Sequence, residues 1–187
     1  KSENLKIRRS YIWLAFLFIP VVPAVMGTQN YLNNLGMLKN EWYSLWTQVT
    51  LFYTDFFFAP LVAIYCSYLW RLENQNKNRH LLLTAPVKAC DIFLGKLAVI
   101  IRITLLTQLW IFVLYLIAGK LARLPGFPPP LLFLYIARGC LGGIAVAAVQ
   151  LLISMQLRSF AAPVAIACIG SITGFLASNS RFAVYYP

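Results

Sequence analysis

The chain has 187 residues, of which 60% are apolar and 11% charged, against roughly 45 to 50% apolar in an ordinary soluble domain. The apolar residues gather in runs long enough to cross the ~30 Å hydrocarbon core of a bilayer as helix, which excludes a water-soluble enzyme and leaves no length for a separate globular domain. Sixteen basic against 5 acidic residues give a net charge of +11, but the basic residues flank the apolar runs, so they set topology and no nucleic-acid partner is expected.

Residues 1–10, with Lys1, Lys6, Arg8 and Arg9, form a basic flank ahead of a first span from Tyr11 to about Gly27. No small-residue cleavage pattern follows it, and Pro20 and Pro23 interrupt the run, which predicts a retained helix rather than a signal peptide. The polar stretch Thr28 to Leu45, holding Asn30, Asn33, Asn34, Lys39 and Glu41, reads as an outer loop closed by interfacial Trp42 and Trp46. Span two runs over 46–70 and stops at RLENQNKNRH, residues 71–80, the most polar segment of the chain. A third span covers 97–118. The loop after it carries PGFPPP, which cannot continue a helix because proline lacks the backbone donor and crowds the preceding turn. Span four covers 130–154, MQLRS makes a short turn, and span five covers 160–176.

With the amino terminus inside, the inner segments hold ten basic residues: Lys1, Lys6, Arg8, Arg9, Arg71, Lys77, Arg79, Lys88, Lys96 and Arg158. The outer segments hold four, Lys39, Lys120, Arg123 and Arg181. That asymmetry predicts a cytoplasmic amino terminus. The fold class is therefore an all-α polytopic membrane protein with five transmembrane helices in one domain, 1–187. Five spans leave the carboxy end outside, and a chain that starts at Lys1 and stops at Tyr185-Tyr186-Pro187 reads as incomplete, with a sixth span expected beyond it.

The connection between spans two and three takes about 26 residues, where two to eight would join antiparallel helices. Arg71, Glu73, Lys77, Arg79 and His80 are polar. Leu81, Leu82, Leu83, Val87, Ile92, Phe93 and Leu94 are apolar around a break at Pro86. This is the pattern of an amphipathic element on the inner membrane face; a plain basic loop that only fixes topology is the alternative. On Glu73, on Lys77 and Arg79, and on LLLTAPVKACDIFLGKL, residues 81–97, with its Leu-Leu, its Pro-Val and its closing Gly-Lys, the chain resembles the type-two ABC transporter permeases, most closely the lantibiotic-immunity and bacitracin-type export permeases. The order of spans agrees as well. The resemblance implies that 71–95 is a coupling segment that docks on a separate ATP-binding subunit through Glu73, Lys77, Arg79, Leu81, Leu82, Leu83 and Pro86. It also implies an interfacial helix at the amino terminus, a second permease of the same or a related kind, and a location in the bacterial cytoplasmic membrane. The implied cargo is an amphiphilic peptide antibiotic, exported for immunity or resistance. The family usually has six spans, so the resemblance implies a last helix beyond the end of this chain.

No G-x-x-x-x-G-K-[ST] phosphate loop occurs, because Gly95-Lys96 and Gly119-Lys120 lack both the preceding glycine and the following hydroxyl residue. ATP and magnesium are thus expected in the partner, and no cofactor, metal or catalytic residue in this chain. A non-transporting scaffold or sensor, or a channel subunit, would lack the phosphate loop too. The single histidine and the absence of paired acid, base or nucleophile signatures argue against an intramembrane hydrolase.

Within the spans, Asp55 and Arg138 each lie ~12 to 14 Å below the outer boundary. Intramembrane charges pair or face a wet cavity, so an Asp55–Arg138 pair or a shared polar cavity is expected, against the alternative that each side chain reaches separately for the outer interface. Gln108 and Gln150 are expected to hydrogen-bond between helices. Gly139 to Gly143 and Gly170 to Gly174 form two G-x-x-x-G motifs, which allow close backbone packing within the chain or in a dimer. The aromatics of span two, Phe52, Tyr53, Phe56, Phe57 and Phe58, face either an amphiphilic substrate or membrane lipid.

Overall fold

The computed structural model describes residues 10–74, 88–157 and 159–178. Among them the secondary structure is helical, and five helical stretches are long and apolar enough to span a membrane.

The first span, Ile12–Asn33, is two helices, α1 (Ile12–Phe18) and α2 (Val21–Asn33). Pro20 separates them, since it cannot donate to the carbonyl four residues earlier. The Leu17 carbonyl at this break accepts a hydrogen bond from Trp110 Nε1 at 3.1 Å, which ties span one to span three. The helix continues beyond Gly27, through residues expected to form an outer loop. The physical reason lies in their side chains: the Thr28 hydroxyl bonds back to the Ala24 carbonyl, Asn30 donates to Gln48 of the next span, and Asn34 donates to the Asn30 carbonyl. Polar residues whose hydrogen bonds are met locally or by a neighbouring helix do not need water, so composition alone misplaces the helix end.

Span two, Glu41–Arg71, comprises α3 (Glu41–Phe52), a π-helical turn (Tyr53–Phe58) and α4 (Ala59–Asn74). It begins before the expected Trp46. Span three is α5 (Ala89–Leu121), span four α6 (Leu131–Gln156) and span five α7 (Ala161–Ser178). Ser159 of the MQLRS turn caps α7, its Oγ accepting from the Ala161 and Ala162 amides, as a serine at a helix start does.

Span two is the centre of the bundle and packs against each of the other four spans. Its upstream half buries Trp42, Ser44, Leu45, Val49 and Tyr53, and its downstream half, from Phe58 on, is buried most of the way round, at Leu61, Val62, Ala63, Tyr65, Cys66, Ser67, Leu69 and Trp70. Trp42, Leu45, Val49 and Tyr53 are three or four residues apart, as one side of an α-helix requires, and the next buried residue, Phe58, is five further on. There the extra residue of the π-turn is inserted. Pro60 supplies a local cause, because it has no N–H for the Phe56 carbonyl and its ring crowds that position.

Two glycines hold helices together by closeness. A Cβ on Gly27 would stand 2.5 Å from Val49 Cα and 2.7 Å from the Gln48 carbonyl, and one on Gly119 would enter the Trp42 ring. At the outer end Trp42 Nε1 donates to the Pro125 carbonyl at 2.8 Å, and Tyr115 Oη donates to the Trp42 carbonyl at 2.9 Å. Gly126 takes a φ of +66°, a conformation open to glycine, and its carbonyl accepts from Lys120 Nζ at 2.8 Å. Substituting Gly27→Ala is expected to lower stability by about 1–3 kcal/mol through overpacking, while Gly170→Ala, whose Cβ meets nothing within 4 Å, changes it by less than about 0.5 kcal/mol. Thermal unfolding of the two purified variants in detergent measures the contrast.

Candidate functional site

The expected coupling residues fall between spans two and three. The membrane helices run into both ends of the 71–95 segment: α4 continues through Asn74 and α5 starts at Ala89. Residues 71–74 and 89–95 are thus helical extensions of spans two and three. Glu73 lies in the last turn of α4, whereas Lys77, Arg79, Leu81, Leu82, Leu83 and Pro86 lie outside the described residues. Two cations at the ends of the 71–95 segment rest on aromatic rings. Arg71 stands 5.8 Å from the Phe160 ring centroid and Lys96 stands 5.6 Å from that of Trp70. Lys96, placed by the sequence reading in the inner loop, is fully buried in α5. Its position follows from the earlier start of that helix, and Gly95-Lys96 is helix interior rather than loop end. Next to it α4 and α6 are joined by Ser67 and Ser154, whose hydroxyls are 3.4 Å apart. Gln150 Nε2 donates to the Pro163 carbonyl at 2.8 Å and links α6 to α7.

Halfway along the bundle is a polar layer. Tyr65 Oη and Thr107 Oγ1 are hydrogen-bonded at 3.0 Å, and Gln108 Nε2 donates to the Gly139 carbonyl at 3.3 Å. Thr104, Thr107 and Gln108 share one face of α5 because residues three and four apart are neighbours on a helix. The Tyr53 and Thr104 hydroxyls are buried with no hydrogen-bond partner among the described residues. Gly143 lies in this layer: a Cβ there would approach Phe58 Cζ to 3.1 Å and Thr104 Cγ2 to 3.2 Å. Gly139 is looser, its nearest contact being Gln108 Nε2 at 3.8 Å. The first G-x-x-x-G thus packs inside the chain. The second differs, since a Cβ on Gly170 meets nothing within 4 Å and Gly174 is half-buried.

Asp55 occupies the π-turn, beside this layer. It is half-buried, and the Thr54 hydroxyl donates to its Oδ1 at 3.2 Å. Arg138 is exposed on α6. Among the described residues no ion pair joins the two. The reason is angular rather than a matter of depth. Arg138 precedes Ala147, a residue on the buried side of α6, by nine positions, and at ~100° per residue it points about 180° away from it. The π-turn that holds Asp55 packs on α7, where the rings of Phe56 and Phe175 are 5.0 Å apart. Sequence reading placed both charges at a similar height but carried no information on which way either helix faces. Pro60 was the local signal for the π-turn that it missed.

The arrangement offers no nucleophile with a base beside it, and no group of three or more metal-ligating side chains is found among the described residues. It offers a packed polar layer, a carboxylate on the side of a helix, and an inner end built of long helices. Because Asp55 and Arg138 share no partner, the stability losses of Asp55→Asn and Arg138→Gln should add in the double variant to within about 0.5 kcal/mol. Unfolding of the single and double variants in lipid nanodiscs tests this, and a coupling above ~1 kcal/mol would restore the pair.

No curated protein and no solved structure matches the chain significantly. A family model does: that of the ABC-2 family transporter proteins, over residues 1–174. With five spanning helices and this match across nearly its whole length, the chain belongs to the ABC-2 family as a transport permease, whose working partner is an ATP-binding subunit of an ABC transporter.

Proposed function

We propose that the protein is the permease of a bacterial ABC exporter that moves amphiphilic peptide antibiotics, of the lantibiotic or bacitracin type, out of the cytoplasmic membrane and so gives immunity or resistance. The observation that carries the transporter part is the family match over residues 1–174. The substrate part rests on the resemblance around Glu73, Lys77, Arg79 and residues 81–97. The aromatic, carboxylate-bearing π-turn, accessible from the side of the bundle, is chemically suited to such cargo.

In this mechanism two ATP-binding subunits close on nucleotide and push on the 71–95 segment of two permease chains. ATP and magnesium act in those subunits. Glu73, Lys77 and Arg79 supply the polar rim of the docking surface, where charges orient a partner and raise its rate of encounter. Leu81, Leu82, Leu83 and Pro86 supply its apolar anchor. The push reaches the membrane through α4 and α5. At 33 residues α5 is ~50 Å long, well beyond the ~30 Å hydrocarbon core, so its inner end can act as a lever. Arg71 and Lys96, stacked on Phe160 and Trp70, fasten those lever ends to neighbouring helices.

Charge reversal tests the docking role. Glu73→Lys or Arg79→Glu should weaken co-purification of the ATP-binding subunit on the order of tenfold, equal to ~1.4 kcal/mol, and lower peptide resistance in parallel, while membrane insertion stays intact because the basic asymmetry survives. Full partner binding and resistance in both variants would remove the docking assignment. A wild-type complex whose ATPase rate is indifferent to amphiphilic peptides would favour a scaffold, sensor or channel role.

A further inference from the structure

The feature of this molecule left without a structural purpose is the carboxylate in the middle of span two. The π-turn lies near the midpoint of the bundle, since Phe58 packs against Gly143 and Gly143 is halfway along α6 (Leu131–Gln156). A charge at that depth is costly unless it faces water, a counter-charge or a ligand, and it marks a functional site by default. The neighbouring threonines show that polarity as such is no burden there: the Thr50 and Thr54 hydroxyls bond back to the Trp46 and Thr50 carbonyls at 2.7 and 2.8 Å. Asp55 has no such remedy. Among the described residues its one hydrogen bond is a 3.2 Å share of the Thr54 proton, which lies closer to the Thr50 carbonyl, and it pairs with no cation.

The residues next to Asp55 on the same stretch of helix indicate what would satisfy it. Phe52, Phe56 and Phe57 are half-buried on the same segment, and Phe175 of α7 meets Phe56. The π-turn produces this display. With Tyr53 and Phe58 both buried, it leaves Thr54 exposed and Asp55, Phe56 and Phe57 half-buried, and π-helical turns of this kind recur at functional sites. One carboxylate and one hydroxyl are too few oxygens for a divalent cation, which takes about six. Aromatic residues beside a single anion are instead a combination that suits an organic ammonium or another cation carried on an apolar body.

We infer that the π-turn of span two is a recognition site for the cationic end of an amphiphile, with Asp55 as its counter-charge and Phe52, Phe56 and Phe57 as its apolar walls. This deepens the exporter reading and rests on it for the meaning of the site, because it assigns the cargo a positive charge. The binding itself can be measured without transport.

The experiment uses two probes of nearly equal shape and opposite charge, tetraphenylphosphonium and tetraphenylborate, binding to the full permease in phosphatidylcholine nanodiscs, with empty nanodiscs as the baseline. Wild type should bind the cation above baseline. Asp55→Asn should weaken cation binding by tenfold or more with the anion unchanged, and Asp55→Glu, which keeps the charge, should stay within about threefold of wild type. Thermal unfolding of both variants separates a lost site from a lost fold, and Glu substitution carries the test if Asn proves unstable. Cation binding indifferent to Asp55→Asn overturns the inference, as does an equal loss for both ions. Unchanged cation binding with loss of cross-linked permease dimers overturns it too, and gives Asp55 to the pairing of two chains. Failure of peptides to stimulate the ATPase complex would defeat the exporter reading while leaving Asp55-dependent cation binding in place.

Discussion

A 31-residue span that packs against all four others is the frame of this bundle, and the π-turn Tyr53–Phe58 adds one residue to its register. Were the helix α throughout, the three-and-four spacing that buries Trp42, Leu45, Val49 and Tyr53 would next turn Phe56 or Phe57 inward in place of Phe58. Spans four and five rest on the downstream half, and Gly143 approaches the Phe58 ring closely. The register of span two therefore sets where the polar layer lies and which residues stand outside it.

The bundle meets its polar groups by short-range devices. Threonine hydroxyls return to their own helix, as at Thr28, Thr50, Thr54 and Thr107. Glutamines reach a neighbouring carbonyl, as Gln108 does at Gly139 and Gln150 at Pro163. Lipid hydrocarbon offers no hydrogen bonds, so groups satisfied in this way can occupy a span at little cost. Among the described residues the buried groups without a hydrogen-bond partner are the Tyr53 and Thr104 hydroxyls and the Trp70 indole N–H, and the Asp55 carboxylate in the π-turn has only a share of the Thr54 proton. In an otherwise consistent sequence such departures mark the places where function, rather than folding, chose the residue.

The proposed cycle joins the π-turn and the inner end of the bundle. A displacement at the inner ends of α4 and α5 passes along continuous helix to the π-turn, the one place in span two where the α-helical ladder is already interrupted. Helix is stiff over such lengths, and an interruption is where bending concentrates. The layer of Tyr65, Thr107, Gln108 and Gly143 holds span two against spans three and four at that height, and the π-turn itself packs on α7.

Much of this was legible from the chain alone. Apolar run length determined the number of spans, basic asymmetry gave an expected orientation, and the absent phosphate loop required ATP to be handled elsewhere if the chain belongs to a transporter. The long polar connection after span two carried the family resemblance that the family match supports at the level of an ABC-2 permease. These are properties of composition along one dimension, and the bilayer reads them directly because it tests each segment for its cost in hydrocarbon. Tertiary structure alone decided the rest. Thr28 to Asn33 became helix because partners on α2 and α3 satisfy them; Lys96 became buried because α5 starts early. Asp55 and Arg138 stand apart because hydropathy measures depth but not azimuth, and the direction a residue faces depends on how helices pack and, in span two, on a single inserted residue.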